Sequence, residues 1–64
     1  MIEPKIGHIV NWKDEDGKWH KAGQVIYKET GFNYAGEKRT LYTISDGSNV
    51  KHKVFAEDME YYHY

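Results

Sequence analysis

The sequence has no cysteine, only one proline and no long apolar run. Without cysteine, disulfide bonds and thiolate-bound zinc are excluded as sources of stability, so a small fold must rely on packed side chains. A membrane-spanning helix needs about 20 predominantly apolar residues, and no such stretch is present. The first residues are polar and do not form the apolar segment of a signal peptide. We therefore expect a soluble, cytoplasmic protein with no membrane partner.

The chain has 64 residues, of which 16% are aromatic, and nine basic residues nearly balance ten acidic ones. A chain of this size buries only roughly 60% of its unfolded surface, so we expect one domain over residues 1–64, frayed at 1–6 and 62–64, without a deep active site. No nucleophile motif, phosphate-binding loop or metal-ligand spacing is present. We expect a protein that is not an enzyme and has no cofactor and no metal.

Apolar residues recur mainly with a period of two, in short runs separated by turn-forming residues. This pattern is typical of antiparallel strands. Two turns carry Asp-Gly, the pair that favours tight hairpins, and Gly23 interrupts an apolar run, which indicates a bulge or bend. Strands are expected at 8–13, 18–27, 39–45, 49–54 and 60–64, with a loop at 28–38 and a helical turn at 55–59. We expect an all-β, five-stranded, SH3-like barrel with a short helical turn before the last strand.

Four segments carry a resemblance to a known family. They are Gly7–Trp12, Asp16–Ala22, Leu41–Ser48 and Val54–Met59. Their order of hydrophobic strand, Asp-Gly turn, aromatic pair, second Asp-Gly turn and acidic turn resembles that of the Tudor-like small β-barrels, over most of residues 7–59.

The resemblance implies an aromatic cage that binds methylated lysine or arginine. Aromatic faces attract a cation, and each desolvated contact contributes up to ~2 kcal/mol. Trp12 falls at one wall of such a cage, His20 at a second wall, and Ile44 and Thr43 near a third. Asp46 or Asn49 would then pair with the bound cation.

From the residues themselves, we expect a binding module that docks a protein partner, as an adaptor or inhibitor of the kind found among viral and accessory proteins. For the two tryptophans, packing in the core is the alternative to binding. Phe32 and Tyr34, in the glycine-flanked loop, either contact a partner or cover the end of the barrel. The predicted partner-binding residues are Trp12, Trp19, His20 and Tyr42, with Asp46 and Asn49 as polar anchors.

Two alternatives remain open. A basic face could bind nucleic acid, with an affinity that falls as salt is added. A tyrosine-rich tail could form a homodimer, because tyrosine provides large contact areas with a polar end. The basic residues are Lys38, Arg39, Lys51 and Lys53, and the tyrosines are Tyr61, Tyr62 and Tyr64.

Overall fold

The computed structural model describes residues 2–63 and shows five antiparallel strands in one sheet, in the order β4-β3-β2-β1-β5. The all-β class and the helical turn before the last strand are therefore confirmed. The elements are β1 (Ile9–Lys13), β2 (Trp19–Phe32), β3 (Lys38–Ser45), β4 (Lys51–Phe55), a 3₁₀ turn (Ala56–Asp58) and β5 (Met59–Tyr61).

The sheet is curled but open. Within residues 2–63, β4 is hydrogen-bonded only to β3 and β5 only to β1, so the closed barrel expected from the sequence is not observed. The rings of Trp12 on β1 and His52 on β4 nevertheless lie 5.2 Å apart. Because these strands are not neighbours in the sheet, that contact requires the sheet to bend around its concave face.

The core occupies that concave face and is built from side chains of every strand. Gly23 is essential to it, because a Cβ atom there would collide with the side chains of Trp12 and Ile44. Pro4 is also buried, and Ile2 packs against the core, so the N-terminal segment covers part of the concave face. The core residues are Val10, Trp12, Val25, Tyr42, Ile44, Val54, Ala56 and Met59.

The bulge predicted beside Gly23 is confirmed. The register between β1 and β2 shifts between Val10 and Trp12. Ala22 has a positive φ of 61° at this point, a left-handed conformation that is costly for a residue with a Cβ atom. Its N–H donates to Oδ1 of Asn11, and Nδ2 of Asn11 donates to Glu60 on β5. The Asn11 side chain thus stabilises the bulge and links it to the edge strand.

The loop predicted at 28–38 is wrong. β2 continues to Phe32, β3 begins at Lys38, and only residues 33–37 form the turn. One face of this part of β2 is exposed and the other is half-buried. The half-buried positions are Glu29 and Gly31, so the sequence lacks the apolar alternation that marks a half-buried strand. The continuation of β2 was therefore not detectable from the hydrophobic pattern, whereas β3 was predicted to within one residue.

Residues 1 and 64 lie outside the described part of the chain. The prediction that Tyr64 takes part in a dimerising tail therefore concerns a residue outside that part. Tyr61 is exposed on β5, and its ring meets that of His8 edge-on. The backbone N–H of Tyr62 donates to the carbonyl of Ile9. Within residues 2–63 there is no helix with the length and apolar character needed to cross a membrane.

Candidate functional site

Two hairpin turns at one end of the sheet are closed by aspartate side chains. Oδ1 of Asp14 accepts hydrogen bonds from the backbone N–H groups of Asp16 and Lys18, at 2.9 Å each. In the second turn, Oδ1 of Asp46 accepts from the backbone N–H and the hydroxyl of Ser48. Aspartate suits this position because its short carboxylate reaches backbone groups two residues ahead.

The second carboxylate oxygen of each aspartate binds a histidine six residues later. Oδ2 of Asp14 lies 2.7 Å from Nε2 of His20, and Oδ2 of Asp46 lies 2.9 Å from Nε2 of His52. Both imidazoles lie against Trp12, with ring centroids 5.0 and 5.2 Å from the indole. The two turns are thereby tied to the same core residue.

These contacts change the acidity of both carboxyl groups. The hydrogen bond with His20, then those from backbone N–H groups, hold the pKa of Asp14 below its ordinary value. The side-chain hydrogen bonds with Ser48 and then His52 hold the pKa of Asp46 far below its ordinary value. Both carboxylates are therefore ionised acceptors that orient the rings on Trp12.

Two of the predicted partner-binding residues lie in the core. Trp12 and Tyr42 are only 2% and 4% exposed, because both side chains fill the concave core. Burial raises the pKa of the Tyr42 hydroxyl. Core packing, the alternative given for the tryptophans, describes Trp12, and Tyr42 packs in the same core.

The other four predicted residues are at the surface but do not form one patch. Trp19 is 46% exposed. It pairs in register with Lys13, so it lies on the face opposite Trp12. His20 and Asp46 belong to the aspartate-histidine pairs, and Asn49 is exposed beyond the second turn.

At the position that the family resemblance gives to an aromatic cage, two histidine rings of the chain itself pack against Trp12. His20 stacks on Trp12 at an interplanar angle of 15°, and the two imidazole centroids lie 6.2 Å apart. The indole N–H of Trp12 is buried and has no partner within residues 2–63. Over the same residues, no group of three or more histidine or acidic side chains is arranged to hold a metal ion. This end of the sheet is therefore a packed, hydrogen-bonded cap.

The β2–β3 turn presents uncovered aromatic side chains instead. Phe32 is 68% exposed and Tyr34 is fully exposed. The backbone between them is fixed, because Oδ1 of Asn33 accepts from the N–H groups of Ala35 and Glu37 at 3.0 Å. We call Phe32 and Tyr34 the hairpin tip. These rings were singled out in the sequence by their glycine-flanked position, but they were not among the six predicted contact residues.

The four basic residues of the predicted nucleic-acid face are not equivalent. Arg39 pairs with Glu37 at 2.9 Å and Lys53 with Glu29 at 3.7 Å. Lys38 is opposite Phe32 in the β2–β3 register, which places it on the other face from Arg39. Acidic partners and opposite orientations therefore divide the expected basic face.

No family model, curated protein or solved structure matches this chain. Its function is accordingly inferred from its own residues.

Proposed function

We propose that this chain is a non-catalytic binding module that docks a protein partner through exposed aromatic side chains and acts as an adaptor or inhibitor. We also propose that its five strands are a variant of the SH3-like, Tudor-like barrel. The strand order β4-β3-β2-β1-β5, with a long bulged β2 shared by both halves of the curled sheet, supports the second proposal.

The observation that carries the docking proposal is the hairpin tip. Two aromatic rings stand uncovered on a turn that is fixed by its own hydrogen bonds. Aromatic side chains are enriched among the residues that dominate binding energy in protein interfaces. Because the backbone is already ordered, little conformational entropy is lost when the tip inserts into a pocket of the partner.

Trp19, one of the six residues predicted from the sequence, supplies a second exposed aromatic contact besides the hairpin tip. Its indole ring is about half exposed, and Lys13, its neighbour on β1, pairs with Asp58 at 3.6 Å. A half-exposed indole beside a charged pair is typical of the edge of a protein interface. Trp12 and Tyr42 contribute indirectly, by holding the sheet that presents these rings.

The charge distribution favours a protein over a nucleic acid as the partner. Binding to phosphate groups depends on cations that can release condensed counterions. Two of the four predicted cations already have carboxylate partners, Glu37 and Glu29. The net charge of −1 adds no attraction for a polyanion.

Site-specific photo-crosslinking tests the proposed function. A photoreactive phenylalanine analogue replaces Tyr34, and a matched variant carries it at the exposed Lys21. In extracts of the source cells, we expect a protein adduct from position 34 and none from position 21. The same adduct should disappear when Phe32→Ser accompanies the probe. Crosslinks only to nucleic acid, or only to a second copy of this chain, would contradict the proposal.

A further inference from the structure

An open groove of about 760 Å³ runs along β4 and is lined by all five residues of that strand. Successive strand residues point to opposite faces, so a groove that meets all of them must follow the edge of the strand. That edge is unpaired within residues 2–63, since β4 is hydrogen-bonded only to β3. The far wall is formed by Trp12, Lys13, the β1–β2 turn and Asp58.

We infer that this groove binds an extended peptide segment of a protein partner, which adds to β4 as a sixth strand and alternates acidic with apolar side chains. The inference rests on the proposed protein-docking function and uses a strand edge that meets the hairpin tip only at Tyr34. Tyr34 lines the groove, whereas Phe32 does not.

The backbone of β4 supplies the affinity in this arrangement. An edge strand presents a row of unpaired N–H and C=O groups, which form main-chain hydrogen bonds with an added strand. β4 has five residues, which correspond to about 17 Å of extended chain. A peptide of five or six residues therefore matches the length of the edge.

The side chains of β4 determine which peptide fits. Lys51 and Lys53 lie opposite Ser45 and Thr43 in the register, so the two lysines share the outer face. An added strand would place every second side chain beside them, and acidic residues are complementary there. The other side chains of the added peptide would point to the concave face and lie beside His52 and Val54, where apolar residues fit.

Glu29 already pairs with Lys53 at 3.7 Å, so Lys51 is the principal contact for an acidic side chain of the peptide. The other charges that border the groove are compatible with this orientation. Asp14 is hydrogen-bonded to His20, and Asp58 pairs with Lys13. Glu15 and Asp16 lie in the β1–β2 turn, at the wall across from β4. The acidic residues of the peptide therefore belong on the lysine side of the groove.

A second copy of this chain is a poor occupant. Antiparallel pairing of two β4 strands in the registers centred on His52 or Lys53 places lysine opposite lysine. Like charges directly opposite one another destabilise a strand pair. The composition of β4 thus selects a strand of opposite charge.

The probe for this site is a capped six-residue peptide in which glutamate alternates with valine, titrated into the full chain and followed by NMR. We expect β4 amides to shift and their hydrogen exchange to slow. The corresponding lysine-valine peptide should bind about tenfold more weakly. Charge reversal at both Lys51→Glu and Lys53→Glu should invert this preference. The matched variant with Lys28→Glu and Lys38→Glu should keep it.

N-methylated peptides separate strand addition from simple charge attraction. Methylation of the alternate amides that face β4 should abolish binding, and methylation of the other set should leave it intact. Equal binding by both methylated peptides, or no slowing of exchange in β4, would overturn the inference. Self-association that already protects β4 in the free chain would also overturn it.

The two proposals fail separately. Peptide binding should survive in the single variant Phe32→Ser, because Phe32 does not line the groove. If crosslinking at the tip finds a protein partner but the glutamate-valine peptide does not bind, only the groove inference is lost. If neither experiment detects a protein or peptide, the proposed function falls as well.

Discussion

The two ends of the sheet use the same turn chemistry to different effect. Each of the three hairpin turns contains an aspartate or asparagine whose Oδ1 accepts backbone N–H groups ahead of it. At Asp14 and Asp46, a second carboxylate oxygen remains and binds a histidine that covers Trp12. Asn33 has one side-chain oxygen, and its amide instead donates to Glu37.

The two kinds of turn therefore differ in what the closing side chain can bind besides the backbone. A carboxylate has enough acceptor sites to close a turn and orient an imidazole together. Asn33 closes its turn without binding a ring, and Phe32 and Tyr34 stand in solvent beside it. The capped end therefore stabilises the fold, although its β1–β2 turn also forms one wall of the β4 groove. The hairpin tip carries the exposed rings that we propose bind a partner.

The two tryptophans should differ most in their contribution to stability. We expect Trp12→Ala to cost about 3–5 kcal/mol, because it empties the centre of the core. That loss approaches the whole unfolding free energy of a chain this small, roughly 3–10 kcal/mol. Trp19→Ala should cost about 1 kcal/mol or less. Urea unfolding followed by circular dichroism checks both values, and equal losses would contradict the assignment of Trp12 to the core.

A pair of glycine substitutions tests the packing beneath Trp12. We expect Gly23→Ala to destabilise the fold by about 1–3 kcal/mol, since the added methyl group meets Trp12 and Ile44. Gly31→Ala is the control, because its Cβ would make ordinary contacts of 3.5 Å with Leu41 and Phe55. The same urea titrations measure both. A tolerated Gly23→Ala would show that the indole is not held against β2.

Acid should unfold the capped end through its two aspartates. In the folded chain, the pKa values of both aspartates lie below the ordinary 3.8. Their contribution to the free energy of unfolding is therefore fully present above that pH. It is lost as the pH falls through the lower, folded values, because the unfolded chain then binds more protons. Melting temperatures measured from pH 6 to pH 2 should therefore fall steeply below about pH 4.

Asparagine variants show whether the histidine pairs cause this acid dependence. Asp14→Asn with Asp46→Asn keeps an oxygen for each turn but removes the charge that binds the imidazole. We expect a lower melting temperature near neutral pH and a flatter profile in acid. Glu15→Gln, in the same turn, should leave the profile unchanged. If the melting temperature of the double variant falls below pH 4 as it does in the parent chain, groups other than these two aspartates cause the acid dependence.

Much of the fold could be predicted from the sequence, because the turns and the half-buried strands carry strong local signals. Gly23 indicated the bulge, and Asp-Gly located two hairpins. The extension of β2 from Lys28 to Phe32 was missed because its half-buried face carries Glu29 and Gly31, which are not apolar side chains. Pairing there depends on backbone hydrogen bonds, which leave no hydrophobic period to detect.

The candidate sites were harder to predict. Alternation cannot tell whether an inward aromatic residue stays open or is covered, and the cover on Trp12 comes from His52, forty residues away in sequence. The equal spacing from Asp14 to His20 and from Asp46 to His52 was a local signal that could have revealed the cap. The β4 groove depends on which strand ends the sheet, and that is a property of topology alone.

The most direct test of the contrast between the two ends is a double variant of the hairpin tip, Phe32→Ser with Tyr34→Ser. Both side chains are exposed, so we expect its unfolding free energy to stay within about 0.5 kcal/mol of the parent chain. Its affinity for the protein captured by crosslinking at position 34 should fall by about 100-fold or more, as expected for two interface hot spots. An unchanged affinity, or a variant that unfolds, would contradict the account.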